Sequence, residues 1–130
     1  MDSLGKSMSA AASGMSTQSF RMRIVTENLS NADTNDYQRK LVSFATVYDN
    51  ETGEGTLTVG PVRTDKTPGD KVYEPFHPLA DQDGYVTKSN VDMMIEMADA
   101  KEAGRSYEAN LTAFQQAREM YSSLIALLRR

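Results

Sequence analysis

The side chain best suited to proton transfer near neutral pH is histidine, and this chain has a single one, His77, set between Phe76 and Pro78. A catalytic dyad or a zinc site would have to rest on it alone, because the chain has no cysteine and no second histidine. His77 therefore reads as a loop histidine packed against its neighbours. The stretch Asp81-Gln82-Asp83-Gly84 opens like a calcium loop, but such a loop needs glycine at about its sixth position and a bidentate glutamate at about its twelfth. Counted from Asp81, those places hold Val86 and Asp92, so the stretch is a structural turn. There is no glycine-rich phosphate cradle, no nucleophile elbow and no HExxH. The expectation is a chain without catalytic residues, cofactor or metal, and hence not an enzyme.

Bulk properties agree with that. A length of 130 residues amounts to about one domain with a modest core. Hydrophobic residues make up 39% and charged residues 25%, with a net charge of -4, so no basic footprint for nucleic acid exists. The N-terminal stretch MDSLGKSMSAAASGMSTQSF carries Asp2 and no apolar run, unlike a cleaved signal peptide, and no membrane-length apolar segment follows. Absence of cysteine suits a chain that passes unfolded from reducing to oxidising surroundings.

With no chemistry to position, the long elements themselves become the candidates for function. In the N-terminal third, a spacing of four then three selects Leu4, Met8, Ala11, Met15, Gln18, Met22, Val25, Leu29 and Ala32, apolar except for Gln18. That is a narrow heptad seam. The C-terminal third repeats it with Met93, Met97, Ala100, Gly104, Tyr107, Leu111, Phe114, Arg118, Tyr121, Ile125 and Leu128. Asn90 is the expected cap of this helix, with Ser89 and Asp92 as a weak capping box. Its length, about 40 residues or about 60 Å, exceeds what a compact domain this small can hold. The two helices should therefore pair antiparallel, with Leu4 near Leu128, Met15 near Phe114 or Ala117, and Leu29 near Ala103 or Gly104. Gly104 on the seam suggests a close approach between helices.

Most glycines and all four prolines lie between Gly53 and Gly84. Residues 37–48 and 55–64 are rich in β-branched and aromatic side chains and flank the turn-forming Asp49-Asn50-Glu51-Thr52-Gly53, as in a hairpin. A third strand is expected at residues 71–74. The fold class expected is mainly α with a small β-rich insert: an N-terminal helix and turn over residues 1–36, a short-stranded middle over 37–88 that caps the helices, and a C-terminal coiled-coil helix over 89–130. The first nineteen residues hold six serines and two glycines. At roughly 0.5 and about 1 kcal/mol each, they leave this helix about 5 kcal/mol behind an alanine-rich one, so it should order only when its seam is buried.

Three stretches resemble the flagellar axial (rod and hook) protein family. In IVTENLSNADTNDYQRK, residues 24–40, the matching positions are Asn28, Leu29, Asn31, Ala32, Thr34 and Tyr37. In YEPFHPLADQDGYVTKSNVDMMIEM, residues 73–97, they are Tyr73, Pro75, His77, Pro78, Ala80, Asp81, Gly84, Val86, Asn90, Val91, Glu96 and Met97, and this stretch looks specific to the proximal-rod branch. In the C-terminal helix, Arg105, Tyr107, Glu108, Ala109 and Asn110 match. The loop from Asn31 to Tyr37 is shorter than the family pattern. The resemblance implies a structural subunit of the proximal rod, made in the cytoplasm, exported unfolded by the flagellar type III apparatus and polymerised in the periplasm. Its implied partners are other rod subunits, copies of itself, and the export-gate and MS-ring base proteins. Another rod or hook subunit, or a cytoplasmic coiled-coil adaptor, are the competing readings.

Overall fold

The computed structural model describes residues 2–129. Helix α1 spans Asp2–Ser30 and helix α2 spans Met93–Leu128, with six short strands between them: β1 (Lys40–Leu41), β2 (Phe44–Tyr48), β3 (Gly55–Val59), β4 (Arg63–Thr64), β5 (Lys71–Tyr73) and β6 (Tyr85–Thr87). At 29 residues, α1 is complete despite its serines, two of whose hydroxyls turn inward to the helix itself: Ser7 donates to the Ser3 carbonyl and Ser30 to that of Thr26. Helix α2, at 36 residues, is about 54 Å long.

The two helices run antiparallel, because partner numbers fall on one as they rise on the other. Asn110 lies against Gly14, Asp99 bonds Arg21, and Glu96 bonds Asn28. The register differs from the expected one by about six residues, nearly two turns. Asn28 meets Glu96, where Leu29 was expected to meet Ala103 or Gly104. The cap also differs. Asp92, in an extended conformation, accepts from the backbone N–H groups of Met94 and Ile95, and this frees Asn90 for tertiary bonds.

The middle region forms three separate two-stranded antiparallel sheets, β1 with β4, β2 with β3, and β5 with β6. The first two are one hairpin interrupted where Ser43 faces Gly60-Pro61. Pro61 has no N–H to give the ladder, and the Gly60 N–H bonds the Ser43 carbonyl. At the tip, Gly53 takes φ of 73°, a left-handed value that glycine adopts without strain. Strand β3 lies along α1, where Ser13 Oγ donates to the Leu57 carbonyl and Lys6 pairs with Glu54 at 2.5 Å. The buried apolar residues are few and small apart from Ile24: Ala11, Ile24, Val25, Val86, Ala103 and Ala117.

Candidate assembly interface

The line of contact between the helices is made mostly of small and polar residues, with Ile24, Val25 and Phe114 the larger apolar ones. On α1 the buried positions Ala11, Gly14, Thr17, Ile24, Val25 and Asn28 fall on one stripe, joined by the half-buried Gln18 and Arg21. On α2 the facing stripe centres on Glu96, Ala103 and Ala117, all buried, with Asn110 and Phe114 half-buried. A Cβ added at Gly14 would sit 2.6 Å from Asn110 Nδ2, so glycine is what lets the helices come this close. Gly104, where the close approach was expected, has open space around it within the chain.

Of the seam positions expected from the sequence, Ala11 and Val25 are buried in this contact, while Leu4, Met8, Met15, Leu29, Ala32, Tyr107, Phe114 and Ile125 are half-buried. Met22, Met97, Leu111, Tyr121 and Leu128 are exposed. Met93, Met94, Ile95, Met120, Leu124 and Leu127 of α2 are exposed as well, and Tyr121 lies beside Gly5, Lys6, Ser9 and Ala10 of α1.

A buried polar cluster fixes the end of the helix pair. Glu96 is 0% exposed and accepts from Arg39 Nε at 2.6 Å and from Asn28 Nδ2 at 3.3 Å. Asn28 spends its whole side chain on the junction. Its oxygen accepts from the Lys40 N–H and the Tyr37 hydroxyl, both at 2.8 Å, and its amide donates to the Lys40 carbonyl at 3.0 Å. Asn90 Oδ1 accepts from the Arg39 N–H at 2.6 Å, and its amide donates to the Asp65 and Thr67 carbonyls. Ser89 Oγ donates to the Ala32 carbonyl. The motif residues of the first helix end, the first strand and the start of α2 thus meet at one point.

Electrostatics follow from this packing. Burial, then the neighbouring Glu27 and Glu96 charges, raise the Tyr37 phenol above its ordinary value against a lowering by Lys40. A hydrogen bond to Glu27, 2.5 Å away, raises Lys40. Backbone and side-chain hydrogen bonds from Thr67 hold Asp65 below the usual carboxylate range. Asn31 bonds back to the Glu27 carbonyl, Thr34 bonds Asn31, and Asp36 takes φ of 61° as the chain turns toward β1. Glu108 and Ala109 are exposed on α2. Among the described residues no group of three or more histidine, cysteine or carboxylate side chains is arranged to hold a metal, and no helix is long and apolar enough to cross a membrane.

The sequence signal that could have found the cluster is polar. Arg21, Asn28, Glu96 and Asn110 keep heptad spacing on the faces that touch, whereas a search for apolar repeats passes over them. A family model described as "Flagella basal body rod protein" matches residues 8–38, and one described as "Flagellar basal body rod FlgEFG protein C-terminal" matches residues 82–127. The two matches include Asn28 and Tyr37 on one side of the cluster and Asn90 and Glu96 on the other. Flagellar basal-body rod protein FlgC of Agrobacterium fabrum is 42% identical over 138 residues, covering 99% of this chain and 98% of that protein. FlgC of Salmonella typhimurium is 34% identical over 123 residues, with coverage of 90% and 92%, and FlgC of Bacillus subtilis is 34% identical over 136 residues, with coverage of 88% and 91%. The chain belongs to the family of the flagellar basal-body rod protein FlgC, a family of structural rod subunits and not of enzymes.

Proposed function

We propose that this rod subunit polymerises through its terminal helices into the proximal rod, forming part of the drive shaft that transmits torque and of the channel through which later subunits are exported. The observation that carries this reading is the amount of large apolar surface that α2 leaves uncovered: Met93, Met94, Met97, Leu111, Met120, Leu124 and Leu127 are exposed in the single chain. An apolar array of this extent on a structural subunit is an interface. With neighbours on both sides, the helices complete a coiled coil, and head-to-tail contacts that do not close extend it as a helical assembly.

Its neighbours are other rod subunits and copies of itself, with the export gate and MS-ring base beneath, and no nucleic acid or small-molecule substrate is involved. The chain reaches the periplasm through the flagellar type III apparatus. Tagged protein should co-purify with basal bodies, while the purified chain alone should sediment as a monomer whose circular dichroism shows somewhat less than the full 29 and 36 helical residues of α1 and α2, because the turns of α1 ahead of Gly14 fray. A stable helical dimer in solution that is absent from basal bodies would overturn the reading in favour of a cytoplasmic adaptor.

A further inference from the structure

The half-buried ring of His77 uses its two nitrogens on two different segments. In the loop over residues 74–84, which joins β5 to β6, Nδ1 accepts from the Leu79 N–H at 3.0 Å and closes a turn of the loop on itself. Nε2 lies 3.3 Å from the side-chain amide of Asn35, in the turn that follows α1. That turn is anchored without the loop's help: the Asp36 N–H donates to the Thr87 carbonyl at 3.0 Å, and Ser89 Oγ donates to the Ala32 carbonyl. Among the described residues, the contact of His77 with Asn35 is the one hydrogen bond between residues 31–37 and the loop.

These partners fix where the ring proton sits. A neutral imidazole has one N–H and one accepting nitrogen. Nδ1 accepts, so the proton is on Nε2, which must donate. Opposite it, Asn35 Oδ1 is buried and has no other partner among the described residues. An amide that offered its NH2 to Nε2 would set donor against donor and leave that oxygen orphaned, so the oxygen is what faces the ring. The single bond from Nε2–H to Oδ1 satisfies both groups.

A second proton on the ring undoes half of this. Imidazolium carries an N–H on each nitrogen. Nε2–H keeps Asn35, but Nδ1–H then points at the Leu79 N–H, and the turn it closed has no acceptor. The two segments hold five carboxylates, Asp33, Asp36, Glu74, Asp81 and Asp83, and one cation reaches them, Lys88, which pairs with Glu74 at 3.7 Å. Asp81 is taken up by the Asp83 and Tyr85 N–H groups at 2.9 Å. No ion pair to the ring exists among the described residues, so nothing replaces the lost bond.

We propose that His77 is a pH-operated latch: neutral, as the Nε2–H form, it closes residues 77–79 into a turn and ties the loop to Asn35, and protonated, it opens that turn. Phe76, 100% exposed, rides on the same loop, so the latch sets how firmly the loop's most exposed apolar side chain is held. The inference stands apart from the rod reading, because every contact in it lies within one chain.

The test is nuclear magnetic resonance of the purified, isotope-labelled full chain at about pH 8 and about pH 5, either side of the range in which histidine changes charge. At the higher pH the ring should be the Nε2–H tautomer, with a nitrogen–nitrogen coupling across the hydrogen bond from Leu79 to Nδ1. At the lower pH the coupling should vanish, and the protection of the Leu79 amide against exchange should fall about tenfold, the worth of one hydrogen bond. His77→Asn places an oxygen that accepts from the N–H two residues on and does not titrate, so its Leu79 protection should be the same at both pH values. An Nδ1–H tautomer at the higher pH overturns the proposal, as does wild-type Leu79 protection that survives acidification. A His77→Asn chain that loses protection on acidification as the wild type does would place the pH response elsewhere and overturn it too.

Discussion

Arg39 Nε and Glu96 Oε1 lie 2.6 Å apart, with the Glu96 side chain wholly removed from solvent and Arg39 Nη1 and Nη2 3.9 Å and 3.8 Å from Asp65 and Asp99. A buried carboxylate whose cation is removed is left uncompensated, so Arg39→Ala should destabilise the chain by roughly 3–5 kcal/mol. Replacing both partners, as in Arg39→Met with Glu96→Leu, should recover much of that loss, because neither charge then remains buried alone. Urea unfolding of the two variants measures the difference, and a double variant as unstable as Arg39→Ala would show that this pair is not what holds the junction.

Close approach at Gly14 and open space at Gly104 make opposite forecasts. In Gly14→Leu the added side chain meets Asn110, whose amide is held by the Ser106 carbonyl at 2.9 Å, and overpacking should cost roughly 1–3 kcal/mol. Gly104→Ala meets nothing and should gain up to about 1 kcal/mol of helix propensity. Thermal melts followed by helical circular dichroism decide both signs.

Leu111 and Phe114 separate folding from assembly. Phe114 is half-buried within the chain, so Phe114→Asp should lower the stability of the free subunit. Leu111 is 37% exposed, and Leu111→Asp should leave the isolated subunit's melting within about 0.5 kcal/mol of wild type, as exposed substitutions do. Both should abolish motility. A motile Leu111→Asp strain would remove that face from the interface.

Alkali should loosen the junction through Tyr37 and Lys40. Both groups bind their proton more tightly when folded, so their contribution is complete below the ordinary values of 10.0 and 10.5 and is lost as the pH rises through the higher folded values. Tyr37→Phe removes the hydroxyl that donates to Asn28 and should cost about 1 kcal/mol at neutral pH. It should also flatten the loss of stability above pH 10, which parallel urea titrations at neutral and alkaline pH would record.

How much of this was legible in the sequence depends on which force sets each element. The long helices, the hairpin turn at residues 49–53 and the strand at β5 follow from periodicity and turn chemistry, which are local. The touching faces of α1 and α2 do not. A heptad of Met15, Met22 and Leu29 is the more apolar choice, yet the structure turns Gly14, Arg21 and Asn28 to α2. Close packing through glycine and alanine, together with a satisfied polar cluster, outweighs apolar area there, and both depend on partners about 70 to about 100 residues away that no local pattern names. Asn90 looked like a cap for the same reason. A residue type that caps helices also suits a long-range bond, and only the fold shows that Asp92 took the first role.

The outward methionines and leucines of α2 carry a thermal consequence. If the free energy of adding a subunit comes mainly from taking such apolar surface out of water, addition has a large negative heat-capacity change and is driven by solvent entropy near room temperature. Its strength then falls on cooling, while the polar junction at Glu96, which does not depend on that term, holds each subunit's own shape. Cold would therefore stall growth at the tip of the assembly before it unmade the subunits waiting to join it.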